Sequence, residues 1–128
     1  MKIDIPMVLA FILLAQMVGV IGAFINAPSI SPWYASLNKP SFAPPNEVFG
    51  PVWITLYLLM GISAYLIWEK GCKKKIVCNA LTLFGFQLAI NACWPLAFFA
   101  LRSPLAGLMV AIALVFMVAV TFLEFYKL

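Results

Sequence analysis

This 128-residue chain contains no histidine. That excludes a histidine-based catalytic triad outright. Cysteine is scarce too: Cys72, Cys78 and Cys93 form no C-x-x-C pair, so a zinc or haem-iron centre built from the usual nitrogen and sulfur ligands has no donor set. Acidic residues number four and charged residues make up 9% of the chain, whereas a soluble domain carries roughly a quarter. No pair of acids is spaced for acid–base chemistry, and neither a metal nor a required cofactor is expected. The few charges also argue against a soluble domain and against a nucleic-acid partner.

Two thirds of the residues are hydrophobic, and they fall in runs. A bilayer-spanning helix needs about 20 mostly apolar residues. Four segments qualify, at about 5–27, 51–68, 76–100 and 105–126. The pattern predicts an all-α, polytopic transmembrane bundle forming a single domain over residues 1–128. The first run is too long for the apolar core of a signal peptide, and Asn26-Ala27-Pro28 makes a poor cleavage site, so it is expected to be retained. The same tripeptide is expected to end the first helix, because a residue before proline avoids helical torsions. Glu69-Lys70-Gly71 reads as the end of the second helix. Ser103-Pro104 reads as a cap followed by proline at the first position of the fourth.

Charge placement sets an orientation. Lys2, Lys70, Lys73, Lys74, Lys75 and Lys127 share one side of the membrane if the helices alternate, with Lys39 and Arg102 on the other. The positive-inside rule then puts both termini and the lysine cluster in the cytoplasm. A prokaryotic cell membrane is the expected location. The cluster also suits anionic headgroups, although a topology determinant is the simpler account. Glu124, inside the fourth segment, reads as snorkelling beside Lys127.

The connection at 28–50 is unlike an ordinary membrane loop. From Trp33 to Trp53 the chain reads WYASLNKPSFAPPNEVFGPVW, rich in aromatic rings and in prolines that stiffen the backbone. Such a segment can close a ligand pocket or form a plain interfacial belt. In the second helix Trp53, Tyr57, Met60 and Ala64 share one face by 4-3-4 spacing. In the third, Gln87, Asn91 and Trp94 do the same, and a stripe of Gly85, Ala89 and Ala92 falls nearly opposite. A similar stripe, Ala15, Gly19 and Ala23, lies in the first. Stripes of this kind let backbones approach closely, within the bundle or across a dimer. The amides need hydrogen-bond partners in hydrocarbon; an interhelical bond is the plain reading, a ligand-orienting group the functional one. Because the second helix enters where the third exits, Trp53, Tyr57, Asn91 and Trp94 can meet in one half of the membrane. Their meeting would make an aromatic cavity with few polar groups, suited to a flat, conjugated, apolar ligand.

Several of these residues also carry a family resemblance. Trp33-Tyr34, Leu37, Lys39-Pro40, Pro44-Pro45, Phe49-Gly50-Pro51-Val52-Trp53, Leu56-Tyr57 and Met60-Gly61 come in the first half, and Gln87-Leu88, Asn91, Trp94-Pro95 and Phe98-Phe99 in the second. The chain resembles the tryptophan-rich sensory protein/translocator protein family, also called peripheral benzodiazepine receptors. The resemblance implies a compact membrane bundle, commonly homodimeric, with a cavity for protoporphyrin IX or another tetrapyrrole and for synthetic isoquinoline carboxamide or benzodiazepine ligands. Membrane lipid is the surrounding partner. Carried over by motif position, the ligand-binding residues are Tyr34, Pro44, Phe49, Trp53, Tyr57, Asn91 and Trp94. The family has five transmembrane helices and this chain supplies four, so sterol recognition, which belongs to the fifth, is not carried over. Three functions follow: a receptor, sensor or transporter of porphyrins; a light-dependent porphyrin-degrading enzyme in which Trp53 would be the reacting residue; and a non-catalytic scaffold. The first is preferred.

Overall fold

Asp4 starts the first helix: its carboxylate accepts a hydrogen bond from the Met7 amide at 3.1 Å, and Pro6 stands in the first turn. A computed structural model describes residues 2–128 and gives the helices as α1 (Ile5–Ile30), α2 (Asn46–Trp68), α3 (Lys75–Pro95) and α4 (Pro104–Tyr126). α3 runs on through one π-helical segment, Leu96–Ala100. Each of the four is long and apolar enough to cross a membrane. The chain between α1 and α2 holds a single short 3-10 turn, Tyr34–Ser36.

α1 lies beside α2 and α3, and α4 packs on α3. α1 and α2 approach backbone to backbone. A Cβ on Gly61 would stand 2.6 Å from the Ile12 Cα and 2.9 Å from its nitrogen, so only glycine fits there. The α1 stripe serves the same contact: Ala15 is fully buried, and a Cβ on Gly19 would meet the Tyr57 ring at 2.9 Å. Ala15, Tyr57, Ala64, Phe84 and Leu88 make the main core. Ile67, Val77 and Ala80 make a second one at the lysine end, where Phe125 of α4 joins them. That end is laced by Tyr65, whose hydroxyl accepts from the Asp4 amide at 2.8 Å and donates to Glu69 at 2.6 Å. Glu124 pairs with Lys127 at 2.8 Å, as the snorkelling reading expects. The expected caps at Ser103-Pro104 and around Glu69–Gly71 are present, with Gly71 at φ +116°.

Two helix boundaries differ from the sequence pattern. α1 does not stop at Ala27 but continues through Pro28 to Ile30. A proline in the last turn forfeits one intrahelical bond, and here a tertiary anchor outweighs that loss. Ser29 is buried, and its hydroxyl donates to the Phe99 carbonyl at 2.8 Å. α2 starts at Asn46, five residues before the expected Pro51, with Pro45 as its N-cap residue. The clash that makes a pre-proline residue leave the helix involves its Cβ, and Gly50, which precedes Pro51, has none. Phe49 therefore sits in the first turns of α2 and not in the loop, and the connection shrinks from 28–50 to 31–45. Pro95 is also inside a helix; the wider π-helical turns that follow it accommodate the lost bond, a common solution at such breaks.

Candidate functional site

The aromatic halves of the helices do not close on one another. They leave a cavity of about 620 Å³, open on one side, with walls from all four helices. Small-molecule sites span about 300–1,000 Å³. α1 contributes Gln16, Gly19, Val20, Gly22, Ala23, Asn26 and Ile30. α2 contributes Asn46, Phe49, Gly50, Trp53, Ile54 and Tyr57, α3 Asn91, Trp94 and Pro95, and α4 Ala111 and Leu114. The gap exists because α1 and α2 touch at Gly61 and Gly19 and then diverge, while Pro95 seats its ring against Gly22 at 3.2 Å from where a Cβ would be.

Of the residues singled out from the sequence, Phe49, Trp53, Tyr57, Asn91 and Trp94 all line this cavity. Trp53 and Tyr57 present their rings 5.7 Å apart at 33°. Trp53 is 37% exposed, whereas Tyr57 at 6% and Asn91 at 5% are buried. Tyr34 and Pro44 do not line it. Tyr34 packs on Phe99 at 5.7 Å and Phe98 at 6.3 Å, with the Lys39 ammonium 4.5 Å above its ring. Pro44 is exposed in the connection. Trp33 joins the same aromatic group, 5.1 Å from Phe98, which in turn stacks on Trp94 at 4.8 Å and 10°. The loop aromatics thus hold the connection down on the π-helical turns. Arg102, at φ +49°, donates to Ser29 Oγ at 3.3 Å and closes the arrangement from the α3–α4 side.

The polar groups have a consistent direction. Asn91 Nδ2 donates to the Gln87 carbonyl at 3.3 Å, and Gln16 Nε2 donates to the Ile54 carbonyl at 3.0 Å. A carbonyl only accepts, so both amides must turn their nitrogens to the backbone, which leaves their oxygens uncommitted. Asn26 Oδ1 is buried without a hydrogen-bond partner. Gln87 itself lies behind the wall, 4% exposed, its Nε2 on the Met60 sulfur at 3.7 Å. Among the described residues no Lys, Arg, Asp or Glu lines the cavity. The contribution of α1 is what residue patterns missed. Its signal was Gln16 and Asn26, two amides in an otherwise apolar run, but without α2 in place their direction could not be assigned.

Phe49, Gly50, Trp53, Tyr57, Asn91, Trp94 and Pro95 of this cavity are also among the residues that carry the sequence resemblance. Residues 11–128 match the model of the TspO/MBR family. The chain belongs to that family. It is 42% identical over 123 residues to the tryptophan-rich protein TspO of Archaeoglobus fulgidus, covering 96% of this chain and 79% of that protein. With the tryptophan-rich protein TspO of Chlorobaculum tepidum it shares 36% over 110 residues, 86% of this chain and 70% of the relative. With the translocator protein of Bos taurus it shares 42% over 94 residues, 73% of this chain and 56% of the relative. This TspO/MBR chain is therefore an integral membrane protein with a helical bundle.

Proposed function

We propose that this protein is a membrane receptor, sensor or transporter that takes a porphyrin or a similar flat apolar ring into the cavity between its helices, with the aromatic end facing outward. The single observation that carries the reading is the convergence of Trp53, Tyr57, Asn91 and Trp94 on one cavity of about 620 Å³ whose described lining is uncharged. Trp53, Phe49 and Trp94 offer ring faces for stacking. The uncommitted amide oxygens of Asn91 and Gln16 can accept a hydrogen bond from a donor at the ligand's edge, such as a protonated carboxyl group. The exposed Gly85–Ala89 side of α3, which meets nothing within this chain at Gly85, supports a homodimer as the working form.

Titration of protoporphyrin IX into the detergent-solubilised protein tests the proposal. Saturable quenching of tryptophan emission is expected, weakened in Trp53→Phe. Unchanged emission in both proteins sinks it. The degradative alternative has its own readout: bleaching of bound porphyrin in light, faster than that of free porphyrin and lost in Trp53→Phe.

A further inference from the structure

The lysine end carries a second feature, independent of the cavity. Lys70, Lys73, Lys74 and Lys75 fall within six consecutive positions, from the end of α2 to the first residue of α3, and all four are exposed. The turn that holds them is tightly bonded. Lys70 and Gly71 amides donate to the Ile67 and Trp68 carbonyls, and the Lys74 amide donates to the Gly71 carbonyl at 3.0 Å. Cys78 Sγ closes on the Cys72 carbonyl at 2.6 Å. The lysines therefore project from a fixed turn and not from a slack loop.

Among the described residues no acidic side chain pairs with any of them. The three acids at this end are occupied elsewhere: Asp4 caps α1, Glu69 accepts from Tyr65, and Glu124 holds Lys127. Among the described residues Lys127–Glu124 is the one ion pair. The N-terminus of α3 begins inside the lysine run and has no side-chain cap, unlike α1 and α4, which are capped by Asp4 and Ser103. Four ammonium groups and the positive end of a helix dipole thus lie together where a spanning helix meets the headgroup layer.

We infer that the α2–α3 turn is a docking surface for anionic lipid, the phosphate diester of a headgroup seated among Lys73, Lys74, Lys75 and the uncapped start of α3. The bilayer is the only source of phosphate that the position of the turn guarantees, since Trp68 and Ile76 flank it with apolar surface at the membrane edge. A topology signal needs lysines only during insertion. A docking surface needs them afterwards, and that difference makes the inference testable.

The experiment uses the full chain reconstituted in phosphatidylcholine bilayers with trace spin-labelled phosphatidylglycerol or spin-labelled phosphatidylcholine. The readout is the fraction of each label held motionally restricted by the protein. Both leaflets carry the probe, so the orientation of insertion does not affect the result. The wild type is expected to enrich phosphatidylglycerol by about fivefold, the ratio that one lysine at an anionic surface contributes, with the preference falling as salt shortens the screening length. K73Q/K74Q/K75Q is expected to erase the preference, and K73R/K74R/K75R to keep it. These side chains are exposed, and unchanged helical circular dichroism would confirm that the fold is intact. Equal selectivity in the wild type and the glutamine variant overturns the inference. So does loss in the arginine variant as complete as in the glutamine one. Displacement of labelled phosphatidylglycerol by inorganic phosphate, where chloride at matched ionic strength does not displace it, overturns the lipid assignment in favour of a soluble-anion site.

Discussion

At the lysine end of the bundle α1 and α2 meet backbone to backbone at Gly61 and Ile12, Val77 and Ala80 are fully buried, and Tyr65 ties α1 to α2 through its hydroxyl. At the aromatic end the helices part around a 620 Å³ cavity, three prolines lie inside helices, and α3 widens into π-helical turns. One half is close-packed in the manner of a protein interior. The other holds its open shape through specific anchors, Ser29 on the Phe99 carbonyl and the aromatic cluster of Trp33, Phe98 and Trp94. The contrast teaches that the tight half sets stability and the open half is free to bind.

Substitutions at the two ends should therefore fall into different classes. The largest effect is expected from Gly61→Val, which forces side-chain atoms into the α1 backbone. A loss of about 3 kcal/mol or more in unfolding titrations is expected, and a wild-type unfolding curve would break the comparison by showing the lysine end to be loose. Next comes Asn91→Leu at the open end. Porphyrin affinity should fall by up to about tenfold, the value of one hydrogen bond, while stability changes by only about 0.6 kcal/mol; the reverse ranking would mean that the amide is a structural bond. Ser29→Ala removes the anchor of α1 on the π-helical turns. A cost of about 1 kcal/mol is expected, together with faster proteolysis within residues 31–45, which limited digestion would detect. Tyr65→Phe should be the mildest for function. About 1 kcal/mol of stability is lost, and porphyrin affinity measured by tryptophan quenching stays as in the wild type. A drop in affinity there would show that the two ends are coupled.

The four helices were legible in the residues because spanning a bilayer requires length and apolarity, and both are local properties. So were the facing of Gln87 and Asn91 into the bundle and of Tyr57 and Ala64 into the core, since helical periodicity fixes which side chains share a side. The ends of α1 and α2 were less legible. Proline marks a helix boundary only on average, and at Pro28 and Pro51 a buried serine hydroxyl and a missing Cβ decide otherwise. Tyr34, grouped with the cavity residues by motif, lies instead in the aromatic cluster that pins the connection, because its partners Phe98 and Phe99 are more than sixty residues away.

Hydrophobic length, lysine placement and the spacing of rings and amides on each helix were properties of the chain itself, because each depends on neighbours within a few turns. The volume of the cavity, the part played by Gln16 and Asn26, and the direction in which each amide turns were decided only when α1 met α2 and α3. Hydrogen bonds such as that from Gln16 to the Ile54 carbonyl, and close approaches such as Gly61 on Ile12, join residues tens of positions apart, and no local pattern specifies them.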